Sequence, residues 1–187
     1  MHFQNWMPVL ALLRQAPVRI LEVGSFEGRS ALFFLNFLPL STIVCVDAWD
    51  SSNIDAEVFA TMPGLRSEFS KAQERFDCNL SPFADRTTKI VGQSADILPQ
   101  LALSNEKFDL VYIDGEHTSV AVYRDCVLSW PLLKPRGIII FDDYEWARPI
   151  AIERRPKLGI DAFLSTVGGK YRELHRAYQL IIQRMRA

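Results

Sequence analysis

The chain has 187 residues, 49% of them apolar and 23% charged, with a formal net charge of −1. That is the make-up of one ordinary globular domain, and it excludes a disordered, collagen-like or coiled-coil chain. Near-neutrality gives no electrostatic case for nucleic acid.

The charge is uneven along the chain. Residues 145–187 hold nine Lys or Arg against four Asp or Glu, which makes that end either a solvated face or a surface for an anionic partner. Cys45, Cys78 and Cys126 have no metal or redox spacing, as suits free thiols in a reducing cytoplasm. The longest apolar stretch, residues 31–40, is interrupted by Asn36 and Pro39 and is too short to span a bilayer. Residues 1–17 show neither a basic leader nor a small-residue cleavage site. The expectation is a cytoplasmic protein with no membrane partner.

In chain order, short β-branched runs alternate with helical stretches. Residues 6–15 read as one covering helix. Residues 19–23 (RILEV) read as a buried strand ending in the turn Gly24-Ser25-Phe26-Glu27-Gly28. A helix follows over 29–38, stopped by Pro39. Residues 42–46 (TIVCV) form a second strand closing at Asp47. The long connection after it carries Leu65, Phe69, Ala72 and Phe76 at helical spacing, and its looser piece, 51–64, is a candidate substrate loop. Further strands are expected at 88–91, 110–113 and 138–141, with helices at 96–103, 120–130 and around 160–166. Two last strand-like pieces, 170–174 and 179–183, are joined by a short turn and read as an antiparallel pair at a sheet edge. The earlier strand runs are nearly all apolar, as strands covered on both faces are, so the sheet is parallel with helices on each side.

Polar residues gather at the ends of these strands: Glu22 and Gly24, Asp47, Gln93 and Ser94, Asp114, and Asp142 with Asp143. Ligands of open α/β sheets bind beyond the carboxyl ends of the strands. Any one of these acids is explained as a cap or a solvated loop residue; five strands delivering polar groups to one rim point to a ligand. The turn Gly24-x-x-x-Gly28 lets backbone approach a ligand closely. It is neither the dinucleotide fingerprint, since Phe26 takes the middle glycine position, nor the phosphate-cradling loop, which argues against a nicotinamide oxidoreductase. Asp47 is placed to accept from two ribose hydroxyls, so an adenosine with a non-phosphate tail fits better.

The segments LEVGSFEGRSALF, VCVDAW, IVGQSADILPQL and FDLVYIDGEHTSVAVYRDCVLSWPLLKPRGIIIFDDY, in that order, resemble the class I S-adenosylmethionine-dependent methyltransferases. More narrowly they resemble the metal-dependent O-methyltransferases: the catechol O-methyltransferase group and the related family acting on sugars and other natural-product hydroxyls. The resemblance spans about residues 18–183. It implies a Rossmann-like seven-stranded α/β fold, mostly parallel with an antiparallel edge strand, in one methyltransferase domain over 1–187. Residues 1–17 would be a short helical cover and 48–85 a long insertion. It also implies an S-adenosyl-L-methionine site. Glu22 and Gly24 would face the methionine part, Ser30 would hold its carboxylate, and Phe26 would lie against the cofactor. Asp47 would take the ribose, Ala48 would lie beside the adenine, and Ser94 and Ala95 would border it. Asp114 would sit near both the methionine amine and a metal.

Three carboxylates at adjacent strand ends, Asp114, Asp142 and Asp143, repel one another unless a hard divalent cation sits among them. Oxygen ligands favour Mg2+, with Ca2+ or Mn2+ as substitutes, and in the resembling enzymes these positions hold the metal. The alternative is that Asp142 and Asp143 cap the next helix. The catechol enzymes carry Asn where this chain has Asp143; the sugar-type relatives carry the acidic pair. His117 lies where the catechol group has a lysine base and is the candidate to take a hydroxyl proton, with Asp114 beside it. The implied activity is methyl transfer to a hydroxyl of a small molecule, a sugar or natural product. The alternatives are a metal-independent methyltransferase and a non-catalytic S-adenosylmethionine-binding partner subunit. Trp49, Phe59, Tyr144 and Trp146 are candidates to line an acceptor pocket, and Arg148, Arg154 and Arg155 to meet an anionic acceptor. A second copy of the chain, forming a homodimer, is another way to close the site.

Overall fold

The computed structural model describes residues 3–53, 55–61, 64–146 and 149–186. In chain order its elements are α1 (Met7–Leu10), β1 (Val18–Val23), α2 (Arg29–Phe37), β2 (Ser41–Asp47), α3 (Ala56–Ala60), α4 (Leu65–Leu80) and β3 (Thr87–Val91). They continue with α5 (Ser94–Leu103), β4 (Phe108–Ile113), α6 (Ser119–Ser129), β5 (Leu133–Phe141), α7 (Pro156–Thr166), β6 (Tyr171–Arg176) and β7 (Leu180–Arg184).

The strands form one seven-stranded sheet in the order β3-β2-β1-β4-β5-β7-β6. β1 to β5 are mutually parallel. β7 runs antiparallel to β5, with Phe141 opposite Leu180, and β6 pairs antiparallel on its outer side. The terminal hairpin is therefore the antiparallel pair expected at the edge, and its turn lies just past the end of β5.

Successive side chains of a strand point to opposite faces, and here both faces are buried. Leu21, Val23, Val111, Ile113, Ile139 and Phe141 join one core with residues of α5, α6 and α7. Ile20, Ile43, Cys45, Leu110, Tyr112 and Ile140 join the other with α1, α2 and α4. This is why the strand sequences are continuous apolar runs rather than alternating ones. Among the described residues no helix is long and apolar enough to cross a membrane, and the three cysteines are free thiols.

The N-terminal cover differs from the single helix expected over 6–15. It is one α turn, α1, between two 3-10 turns, Phe3–Asn5 and Ala11–Leu13. A segment this short makes too few helical hydrogen bonds to stay regular by itself. What fixes it is Trp6, fully buried and stacked 5.0 Å from Phe34. The amphipathic helix expected in the long connection is α4, which buries Ala72 and Phe76.

Candidate functional site

The order of the strands reverses at β1, whose neighbours are β2 on one side and β4 on the other. Crevices at such switch points are where open α/β sheets hold ligands. A cleft of about 410 Å³ lies there, within the usual range for small-molecule sites.

The first half of the cleft is built on the glycine turn. Gly24 has φ 84° and donates its N–H to the Val46 carbonyl at 2.9 Å. A Cβ on Gly24 would lie 2.1 Å from the backbone oxygen of Asp114, and one on Gly28 would lie 2.2 Å from Leu80 Cδ2. Protein neighbours already account for both glycines. Gly24 lets the β1 turn lie on the loop after β4, and Gly28 lets α4 close over the turn.

Between them, Phe26 has φ 46°, as does Trp49 after β2. Such backbone persists in bulky residues only when the surroundings hold it. Asp47 does the holding. Its Oδ2 accepts from the N–H groups of Ser25 and Phe26, both at 2.8 Å, and its Oδ1 accepts from Trp49 N–H at 2.7 Å. A carboxylate offers about four acceptor positions, so the residue that lines the cleft retains capacity for a ligand hydroxyl.

Gly24, Phe26, Ser30, Asp47, Ala48 and Ser94 all line the cleft. Two of the expected cofactor residues do not. Glu22 is fully buried behind the lining, where the Ser30 hydroxyl donates to its Oε1. Burial pushes the Glu22 carboxyl up from 4.5 to about 7. Ala95 sits half-buried one residue into α5, outside the lining. Ser94 donates to Asp125 Oδ1 at 2.7 Å. Asp125 is a lining residue that strand-end reasoning passes over, and burial raises its carboxyl too. The signal for it is a charged residue on the buried stripe of α6 that also holds Ala121, Val122 and Cys126.

The cleft's second half, at Asp114 and His117, adjoins a small pocket that these two line together with Asp142 and Asp143, and this region is acidic. Asp114 accepts from Tyr112 Oη at 2.9 Å. His117 Nε2 lies 2.6 Å from Asp143 Oδ2 and 4.0 Å from Asp114 Oδ1. One ligand atom from each of Asp114, His117 and Asp143 can be chosen so that all lie within 4.8 Å of one another. Burial, then the neighbouring charges of Asp142 and Asp143, push Asp114 well above the usual carboxylate range. Burial also presses on Asp143, but the charge and hydrogen bond of His117 hold it low. His117 is the converse case: burial alone would lower it, and Asp143 outweighs burial to raise it. Crowded, desolvated acids of this kind fit a divalent cation.

Of the three expected carboxylate ligands, Asp114 and Asp143 join this group and Asp142 does not; Asp142 Oδ1 accepts from the side-chain amide of Gln179. The aromatic and arginine expectations also change. Trp49 and Tyr144 are core residues, and Trp49 Nε1 donates to the Phe26 carbonyl at 2.7 Å. Trp146 packs 5.3 Å from the His117 ring in a small cluster with Val58 and Ile150. Arg154 is paired with Asp55 and Glu57, so its charge is already met, while Arg155 Nε donates to the Ile150 carbonyl. Arg148 and the Phe59 side chain lie outside the described residues.

Residues 21–144 match a family profile described as a methyltransferase domain. The O-methyltransferase hkm8 of Aspergillus hancockii is 29% identical over 145 residues, covering 76% of this chain and 49% of that one. The mycinamicin VI 2''-O-methyltransferase of Micromonospora griseorubida is 24% identical over 149 residues, covering 76% of this chain and 29% of that one. This chain therefore spans half or less of the length of these curated relatives. Among solved structures, the MycE methyltransferase of the mycinamycin pathway in complex with Mg and SAH shares the fold at a TM-score of 0.67 and 18% identity. That match covers 98% of this chain and 49% of that one.

Proposed function

Because the chain belongs to the methyltransferase-domain family, we propose that it moves a methyl group from S-adenosylmethionine to a hydroxyl of a small molecule, assisted by a divalent cation. The observation that carries this reading is one cleft with two chemistries. Gly24, Phe26 and Asp47 line the same cleft as Asp114 and His117, and Asp143 lies 2.6 Å from His117. The curated relatives are named O-methyltransferases, which supports oxygen as the acceptor atom.

Ser30 and Asp47 would hold the cofactor, and Asp114 and Asp143 the cation. When bound, the cofactor supplies an electrophilic methyl and the cation a Lewis acid. The chain's own part is to hold the acceptor hydroxyl and take its proton. His117 Nε2–H donates to Asp143 Oδ2 at 2.6 Å, so a proton would be taken up at the other ring nitrogen, and the pairing with Asp143 would stabilise the imidazolium so formed. Orientation of the acceptor against the methyl would supply much of the acceleration.

A metal-independent methyltransferase is the second reading, favoured by the absence of Asp142 from the group of possible ligands among the described residues. A methyl-transfer assay over a panel of hydroxylated acceptors, titrated with Mg2+ and with EDTA, separates the two. Turnover that survives complete chelation removes the cation from the reaction. Calorimetry with S-adenosylhomocysteine and with NAD tests the cofactor. Failure to bind S-adenosylhomocysteine overturns both readings.

A further inference from the structure

We infer that the turn between the last two strands, residues 177–179, is a positioning device for the Asp142–Asp143 pair and sets cation affinity, with Trp6 as its anchor. This rests on the metal-assisted reading above. Two consecutive residues of the turn reach two consecutive acids. Tyr178 Oη donates to Asp143 Oδ1 at 2.6 Å, and Gln179 Nε2 donates to Asp142 Oδ1. With Tyr112 on Asp114, each of the three crowded acids has one oxygen held by a neutral donor. For Asp143 the held oxygen is Oδ1, which leaves Oδ2 to face His117.

The orientation of Gln179 follows from donor chemistry. Gln179 is fully buried, and its Oε1 lies 2.8 Å from Trp6 Nε1. An indole nitrogen only donates, so the amide oxygen must face Trp6 and the NH2 group must face Asp142. Trp6 cannot swing away, being fully buried between Phe34 and Tyr112. The turn is fixed at the backbone as well: Glu145 N–H donates to the Tyr178 carbonyl at 3.0 Å, and Ala177 N–H to the Gln179 carbonyl at 2.9 Å. Packing alone does not require an amide here. Methionine fills similar volume without the cost of desolvating polar atoms. What only the amide does is accept from Trp6 Nε1 and donate to Asp142 at once.

The test uses the full chain and Mn2+ as the probe, followed by loss of the free-ion paramagnetic resonance signal. The variants are Tyr178→Phe and Gln179→Met. Tyr178→Phe is expected to weaken Mn2+ binding by about 10–100-fold, as loss of a group supporting a metal ligand does, and Gln179→Met, which acts on the neighbouring Asp142, is expected to weaken it by a few fold. S-adenosylhomocysteine affinity, measured by calorimetry, is expected to hold. Trp6→Phe should weaken Mn2+ binding less, and adding it to Gln179→Met should add nothing further, because Trp6 acts through that amide. Unchanged Mn2+ affinity in both single variants overturns the inference, as does parallel loss of Mn2+ and S-adenosylhomocysteine binding, which marks a merely structural role. If the unaltered chain takes up no Mn2+, the metal reading itself fails first.

Discussion

The two halves of the cleft hold their acids differently. At the end of β2, one carboxylate is gripped by three backbone N–H groups, from Ser25, Phe26 and Trp49. At the ends of β4 and β5, three carboxylates crowd together and the donors are side chains, namely Tyr112, Tyr178, Gln179 and His117. Backbone donors are supplied by any sequence that makes the turn, so the first half tolerates change wherever the φ angles survive. Side-chain donors are specific, so the second half is sensitive to each residue. The halves meet where Gly24 lies on the Asp114 backbone.

That seam is where the largest effect is expected. Gly24→Ala places a Cβ 2.1 Å from a backbone oxygen at a φ of 84°. Neither neighbour is a flexible side chain, so the substitution should cost more than about 4 kcal/mol. Chemical unfolding should show it, with S-adenosylhomocysteine and Mn2+ binding lost together. Loss of one without the other would mean that the halves are built independently.

His117→Ala comes next and acts on the second half alone. It is expected to lower the methyl-transfer rate by about 10²–10⁴-fold, the usual worth of a positioned base, while S-adenosylhomocysteine still binds. A rate within a few fold of the original would remove His117 from proton transfer.

Glu22→Gln tests the first half through pH. The folded-state pKa of Glu22 is raised from 4.5 to about 7, so the folded chain binds a proton that the unfolded chain has already released. Its contribution to stability is present below 4.5 and is lost as pH rises through about 7. The rise corresponds to about 3 kcal/mol. The amide should raise the melting temperature at pH 8, and the gain should shrink toward pH 4.5. Ser30 should keep its partner, so cofactor affinity is expected to change little. A large loss of S-adenosylhomocysteine affinity would show that Glu22 faces the cofactor directly.

The same contrast explains what the sequence made legible. The sheet was readable because strands buried on both faces leave continuous apolar runs, as in residues 42–46 and 138–141, and both lie inside the observed β2 and β5. The β2-end acid was readable because its partners are local: Ser25, Phe26 and Trp49 lie 22, 21 and 2 residues from Asp47. The supports of the acidic half were not. Tyr178 and Gln179 are 35 and 37 residues from the acids they hold, and Trp6 is 173 from Gln179. Only the antiparallel register of β7 on β5 brings that turn to the acids, and no local pattern encodes it. Tyr112 was within reach, since it sits two residues before Asp114 and so shares a face of its strand. Arg154 reads as an open cation because its partners, Asp55 and Glu57, lie almost a hundred residues earlier.

The smallest effect concerns that last contact. Arg154, on the segment after β5, pairs with Asp55 just before α3 and with Glu57 in α3, which belongs to the insertion after β2. The pairing thus ties an appendage of one half to an appendage of the other. The Arg154 side chain is 37% exposed and that of Glu57 44%, and ion pairs so open to water are worth about 0–1 kcal/mol. Val58, Trp146 and Ile150 bridge the same two segments with apolar contact that does not depend on charge. Arg154→Ala should therefore lower stability by less than about 1 kcal/mol, with the loss fading at high salt. Val58 lines the cleft, so loosening this tie should speed release of S-adenosylhomocysteine in stopped-flow measurements while Mn2+ affinity stays put. A salt-independent loss would assign the tie to the apolar cluster. A matching fall in Mn2+ affinity would mean that the acidic half leans on the insertion as well as on the terminal hairpin.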